Sequence, residues 1–263
     1  MRGNMHNHPV NISDLSKEFV HFPIGRRIRH EQEIPSTNSL ALEELKLGRA
    51  SHGDIFVADR QSSGRGQSGR DWQSETDDGL WMTIVLMMDT PPQPLSFLPC
   101  LAVHDYLNTE LGLPAHLKWP NDILVGSKKI AGILVEATTS NDNKPGWVIG
   151  IGLNLNRRVF ADPIKDRATS IVLERGSCPD RLSVLRGIIQ RFNHWMLSDE
   201  NLVSAWTSRS RMPGRSLIIR RKDKTYEAQV VGLSDEGYLQ LELEDGRIET
   251  VISSSDIELP LVY

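Results

Sequence analysis

Three stretches of the chain carry residue types that could hold or move charge. The densest is Gly64-Arg65-Gly66-Gln67-Ser68-Gly69-Arg70-Asp71-Trp72. Backbone amides freed by Gly66 and Gly69, beside Arg65 and Arg70, suit an anionic phosphate or carboxylate. The same letters spell G-x-G-x-x-G, the dinucleotide fingerprint, which needs a strand ending at its first glycine and a helix opening after its third. Polar residues separate the preceding strand pattern from Gly64, and Asp71 to Asp78 shows no helical apolar period, so that reading is set aside. A plain surface loop is the remaining alternative. The second stretch is Lys118-Trp119-Pro120-Asn121-Asp122, followed by Lys128-Lys129-Ile130-Ala131-Gly132-Ile133-Leu134-Val135-Glu136. Lys129 enters an apolar strand, where its ammonium either marks a pocket mouth or simply faces water. Asp122 is either a working carboxylate or a turn residue. The third is Gly150-Ile151-Gly152-Leu153-Asn154, whose strand glycines imply close approach by a ligand or another group.

These residues need elements to position them. Arg26 to Ile34 is strand-like and breaks at Pro35. Leu40, Leu42, Leu45 and Leu47 then fit one helix stopped by Gly48. Ile55 to Ala58 and Leu80 to Met88 are buried strands, joined by a polar loop from Gln61 to Thr76. A helix follows from Leu95 to Tyr106. Three short strands come next (Leu117–Trp119, Ile123–Val125, Ile130–Val135), the last two meeting in a tight Gly126-Ser127 hairpin. Trp147 to Asn154 is another strand, and Leu182 to Met196 an amphipathic helix capped by Asp180 or Ser183. Beyond Pro213-Gly214 the pattern becomes four short strands, separated at Lys222-Asp223-Lys224, Ser234 to Gly237 and Asp245-Gly246. The expected organisation is therefore an N-terminal tail over 1–24, an α+β domain over 25–210 and a small β-barrel over 211–263.

Composition narrows the classes. With 263 residues, 39% apolar and 24% charged, the chain is ordinary globular material, and a net charge of -4 is unlike a generic nucleic-acid binder. The longest near-apolar run, Leu80 to Met88, is far shorter than the ~20 residues that span a bilayer. Met1 to Leu15 has no apolar core of a signal peptide. The two cysteines, Cys100 and Cys178, lie outside any C-x-x-C pattern and read as reduced thiols of a cytoplasmic protein. His6 and His8 read as solvated, so no metal site is expected.

In this order the motifs resemble the biotin protein ligases: Ser36-Thr37-Asn38, Gln61 to Trp72, Lys118 to Asp122, Lys129 to Glu136 and Gly150 to Asn156. The resemblance implies a mixed central sheet with flanking helices, akin to class II aminoacyl-tRNA synthetases, followed by an SH3-like C-terminal unit. It implies that biotin and ATP with Mg2+ give biotinyl-5'-AMP, which then acylates a lysine of a biotin carboxyl carrier protein. It assigns Ser36, Thr37, Asn38, Gln61 and Gly132 to biotin. Arg65, Gly66, Gln67, Arg70, Trp72 and Asn154 fall to the adenylate, Lys129 to the reacting carboxyl and phosphate, and Asp122 to the proton of the incoming lysine. The chemistry suits these types, because a carboxylate must be activated as a mixed anhydride and Lys129, Arg65 and Mg2+ can stabilise the charge that builds. That anhydride is hydrolysable, so the 61–76 loop is expected to be a mobile, water-excluding lid. One departure stands out: the family's loop usually reads Gly-Arg-Gly-Arg, and Gln67 holds the fourth place. The stretch ahead of Ser36 is short for a winged helix, so a monofunctional enzyme without DNA binding is expected, as monomer or homodimer. The alternatives are a lipoate or octanoate ligase, although no Arg-Arg-x-(Ser/Gly)-Gly-Gly-type loop is present, and a non-catalytic biotin sensor.

Overall fold

The run Gly79–Met87 is apolar on both faces and becomes the centre of a sheet. The computed structural model describes residues 12–92, 94–221 and 224–254. His6 and His8 lie outside the described residues, as does part of the turn at Lys222-Asp223-Lys224. Seven strands, β1 (Ile28–Ile34), β2 (Ile55–Gln61), β3 (Gly79–Met87), β4 (Ala115–Lys118), β5 (Asp122–Val125), β6 (Lys128–Thr139) and β7 (Pro145–Asn154), form a sheet in the order β1-β2-β3-β7-β6-β5-β4. Only β1 and β2 run parallel, so the sheet is mixed, as expected.

The two faces of this sheet do different work. One packs the large core: Leu80, Met82, Ile84 and Leu86 meet α3 (Phe97–Asp105) and α5 (Arg181–Leu197), with Trp206 of α6 (Leu202–Ser208) stacked on Phe97. The other face packs α2 (Thr37–Lys46) through Ala41 and Leu45 onto Phe56, Val85 and Val148, and the rest of that face is left for the site. Asp180, not Ser183, caps α5, accepting the Ser183 amide at 2.9 Å. Leu47, expected on the buried face of α2, is 50% exposed because the helix ends at Lys46.

One expectation is corrected. Within the supposed tail over 1–24, α1 (Ile12–Leu15) and the turn after it bring Leu15, Phe19 and Ile24 into the main core. Asn193 of α5 holds Ile24 there, accepting its amide at 2.9 Å and donating to its carbonyl at 3.0 Å. Two short helices, α4 (Ile171–Arg175) and α6, had no readable period; each is started by a side-chain cap, Ser170 and Asn201.

The C-terminal strands β8 (Ser216–Arg221), β9 (Lys224–Leu233), β10 (Leu239–Leu243) and β11 (Ile248–Val251) make an antiparallel sheet in the order β11-β10-β9-β8. Its size and strand directions are consistent with an SH3-like unit. Its turn at Gly237 reaches the catalytic-type motif, since the Trp119 indole donates to the Gly237 carbonyl at 2.9 Å.

Candidate active site

The site begins as a row across the sheet. Register aligns Ala58, Trp81, Gly152, Gly132, Asp122 and Lys118 on adjacent strands, and side chains directly opposite one another share a face. A β-carbon on Gly152 would lie 2.6 Å from the Trp72 ring, and one on Gly132 2.8 Å from Lys129 Cε and 3.0 Å from Trp72. Glycine is therefore required because the Trp72 indole and the Lys129 stem rest directly on the sheet. Lys129 lies three residues before Gly132, which strict alternation would send to the opposite face. A bulge between Ile123/Leu124 and Lys129/Ala131 inserts one residue and returns Lys129 to the site face. Its Nζ is 2.5 Å from Asp122 Oδ1 and 5.1 Å from the Trp72 ring centroid.

A second row, Phe56, Thr83, Gly150 and Leu134, supports α2. A β-carbon on Gly150 would fall 2.5 Å from Asn38 Oδ1. Asn38 is held on three sides, with Thr83 Oγ1 at 2.6 Å from its Oδ1 and its Nδ2 donating to Glu136 at 2.8 Å and to the Leu134 carbonyl at 3.3 Å. Ser36 is the N-cap residue of α2 but makes no side-chain cap bond. Gln61, the last residue of β2, supplies the acceptor instead, taking the Thr37 amide at 2.8 Å, while its Nε2 donates to Ser74 Oγ at 3.0 Å. Ser36, Thr37, Asn38 and Gln61 are all buried, while Gly132 lies under Lys129 and Trp72.

The 61–76 segment is a folded flap. Gly66 N donates to the Arg70 carbonyl at 2.6 Å, Trp72 N to the Gly64 carbonyl at 2.9 Å, and Arg65 and Asp71 form a bridge. Arg65 pairs with Glu136 at 2.8 Å, and Trp72 stands edge-on to Trp81 at 6.4 Å. The flap's far end is pinned by Arg157, which donates to the Gln73 carbonyl at 3.1 Å and to Asp78 at 3.0 Å. Gln67 sits at the tip, where its Oε1 accepts from Ser254 at 3.4 Å. Arg70 is exposed on the same flap. Asn154 lies behind the glycine row with its amide spent on the Thr169 carbonyl at 2.9 Å, and the adjoining segment pairs with Lys129, whose N–H donates to the Arg167 carbonyl at 2.8 Å.

Sequence reasoning missed Glu136, Thr83, Arg157 and Lys118 as site residues. Glu136 and Lys118 were inside quoted motifs; Glu136 lies four places from Gly132 on one alternating strand, and Lys118 lies opposite Asp122 across a short hairpin. Lys118 is 5% exposed, and burial pulls its ammonium down to about 8 while Asp122 holds it up. Among the described residues no three His, Cys, Asp or Glu side chains group to hold a metal ion. The assembled chemistry is a flap-covered glycine floor with two carboxylates (Asp122 and Glu136), two lysines and two arginines beside it, suited to an anionic ligand with an apolar part.

Comparison with known proteins agrees. Residues 31–154 match the biotin/lipoate A/B protein ligase family, and residues 214–259 match the biotin protein ligase C-terminal domain. The bifunctional ligase/repressor BirA of Bacillus spizizenii is 34% identical over 246 residues, covering 90% of this chain and 75% of the relative. A biotin–acetyl-CoA-carboxylase ligase of Paracoccus denitrificans is 31% identical, covering 81% and 95%. The solved biotin protein ligase from Aquifex aeolicus in complex with biotin and ATP superimposes with a TM-score of 0.73 at 29% identity, over 88% of this chain and 97% of that one. Motif order, sheet topology and both domain matches converge: the chain belongs to the biotin protein ligase family.

Proposed function

We propose that the protein activates biotin with ATP to biotinyl-5'-AMP and transfers the biotinyl group to a lysine of a biotin carboxyl carrier protein. The observation that carries the reading is the Lys129–Asp122 pair at the edge of a glycine floor under the Arg65–Trp72 flap. The ring system of biotin, a planar ureido ring fused to an apolar thioether ring, suits the surface that Trp72 covers, beside Ser36, Thr37, Asn38, Gln61 and Gly132. Its carboxylate then points toward Lys129, whose ammonium stabilises charge on the carboxyl and α-phosphate as the anhydride forms. Arg65, Gly66, Gln67, Arg70 and Trp72 cover the adenylate, and Asn154 fixes the segment behind it. Transfer needs a free amine, and Asp122 accepts the proton of the incoming lysine. Mg2+ would accompany the phosphates of ATP and neutralise part of their charge there; among the described residues no three His, Cys, Asp or Glu side chains group to hold it. No protein nucleophile is required.

The boundary near Arg211 belongs to the same proposal, supported by the match beginning at residue 214. So does a cytoplasmic setting, supported by the free Cys100 and Cys178; among the described residues no helix is long and apolar enough to cross a membrane. Pyrophosphate release on adding biotin and ATP tests the reading. Release with lipoate in place of biotin, or none with either, would overturn it.

A further inference from the structure

The Lys118 ammonium is a buried charge that the steps above leave unused. Lys118 ends β4 and lies directly opposite Asp122 across the β4–β5 hairpin, so both side chains share the site face. Asp122 is in turn paired with Lys129 at 2.5 Å. One carboxylate is thus set between two cations on successive strands. Among the described residues, the charges acting on Lys118 include Asp122 from β5, Lys129 from β6 and Arg70 from the flap. From α3, the buried Cys100 thiol is kept protonated by its burial and by Asp122. A buried ammonium is costly, and burial pulls Lys118 down to about 8 against the upward pull of the Asp122 carboxylate.

Ligand entry changes this balance. An acyl phosphate draws the Lys129 ammonium toward itself, so Asp122 loses a partner at the stage when the carrier lysine arrives. We propose that Lys118 is a positioning residue for the transfer step, holding the Asp122 carboxylate in place once Lys129 has turned to the phosphate. The proposal rests on Asp122 acting as the base. In that step the ammonium of the incoming lysine gives one proton to Asp122, and the freed lone pair attacks the biotinyl carbonyl carbon. The C–O bond to phosphate breaks, AMP leaves with that electron pair, and the second proton on nitrogen goes to water.

Single-turnover transfer from preformed biotinyl-5'-AMP to a biotin carboxyl carrier domain, followed across about pH 5.5 to 9, tests this. Lys118→Met is expected to slow transfer at neutral pH by a factor on the order of 10 and to move its acid limb up by about one pH unit, because a carboxylate without its cation binds protons more readily. Lys118→Arg should restore both rate and limb, and pyrophosphate release should fall less than transfer does. Lys118→Gln keeps a polar group of similar length and serves if Lys118→Met melts early. An unmoved acid limb in both neutral variants, or equal losses in adenylation and transfer, would overturn the proposal. Asp122→Asn separates the two ideas. If it slows transfer while the Lys118 variants keep the wild-type profile, only the Lys118 proposal falls; if it leaves transfer unaffected, the base assignment falls and this proposal with it.

Discussion

Lys129 holds its ammonium between a carboxylate and the face of an indole, and both contacts are partly open to solvent. An incoming phosphate can therefore claim it without unfolding anything. Lys129→Ala is expected to lower pyrophosphate release by ~10²–10³, about 3–4 kcal/mol of transition-state stabilisation, with an unchanged melting temperature. Stopped-flow pyrophosphate detection and calorimetry check both halves, and an unchanged rate would remove Lys129 from the chemistry. Gln67 is the residue where the flap departs from the family's pattern. It sits at the flap tip with Ser254 at 3.4 Å, a weak neutral contact. A charge-assisted bond is roughly twice as strong as a neutral one, so Gln67→Arg should slow biotinyl-5'-AMP dissociation by a factor of about 3–10. Equal off-rates would show that this position does not hold the intermediate. Lys129 is legible in the sequence as a charge entering an apolar strand, and Asp122 as either a working carboxylate or a turn residue, whereas Asn38 enters only through the family resemblance. Thr83 was not legible: a threonine in a strand is ordinary, and only the close approach to Asn38 and Thr37 gives it a task.

The flap shows the limit of composition as a guide to an element. Read as letters, 61–76 offered almost no apolar anchor and was expected to be loose. The structure gives it one large anchor, Trp72, and a clamp from Arg157 at its end. Its tip, however, is exposed and holds few bonds, so hydrogen exchange at Gly66 to Arg70 is expected to fall when biotinyl-5'-AMP binds, while Gln61 and Trp72 are already protected without it. Equal exchange at the tip in both states would deny it a covering role. The glycine floor makes a sharper case. Gly150→Ala would place a methyl 2.5 Å from Asn38 Oδ1, and Asn38 is fixed by Thr83, Glu136 and the Leu134 carbonyl. The variant should weaken biotin binding by about tenfold or more with a near-normal fold, since overpacking typically costs about 1–3 kcal/mol; titration calorimetry with biotin reads the Kd directly. Strand and hairpin positions were legible because their periods and turn residues are local. The bulge that turns Lys129 to the site face was not, because register is a property of two strands.

At the scale of the whole molecule, the seven-stranded sheet keeps a buried imidazole on its far edge strand. His116 of β4 is pushed down to about 4, mainly by burial, and its Nδ1 has no hydrogen-bond partner among the described residues. The unfolded chain takes up a proton near pH 6.5 and the folded one resists it, so stability is complete above that pH. It is then lost as pH falls toward 4, by up to about 3 kcal/mol. His116→Leu should narrow the gap between melting temperatures at about pH 8 and 5; an unchanged gap would place acid sensitivity elsewhere.

The contact between Trp119 and Gly237 bears on how such a chain can vary over time. The motif turn that carries Lys118 and Asp122 is fastened at Trp119, whose indole reaches a backbone carbonyl of the C-terminal sheet while its amide donates to the sulfur of Met212 at 3.2 Å. A carbonyl has no side chain to mutate, so the fastening tolerates sequence drift at residue 237's neighbours but not a change in the length of the 234–237 turn. Grafting a C-terminal unit from a relative should therefore succeed or fail on loop length, almost regardless of percentage identity.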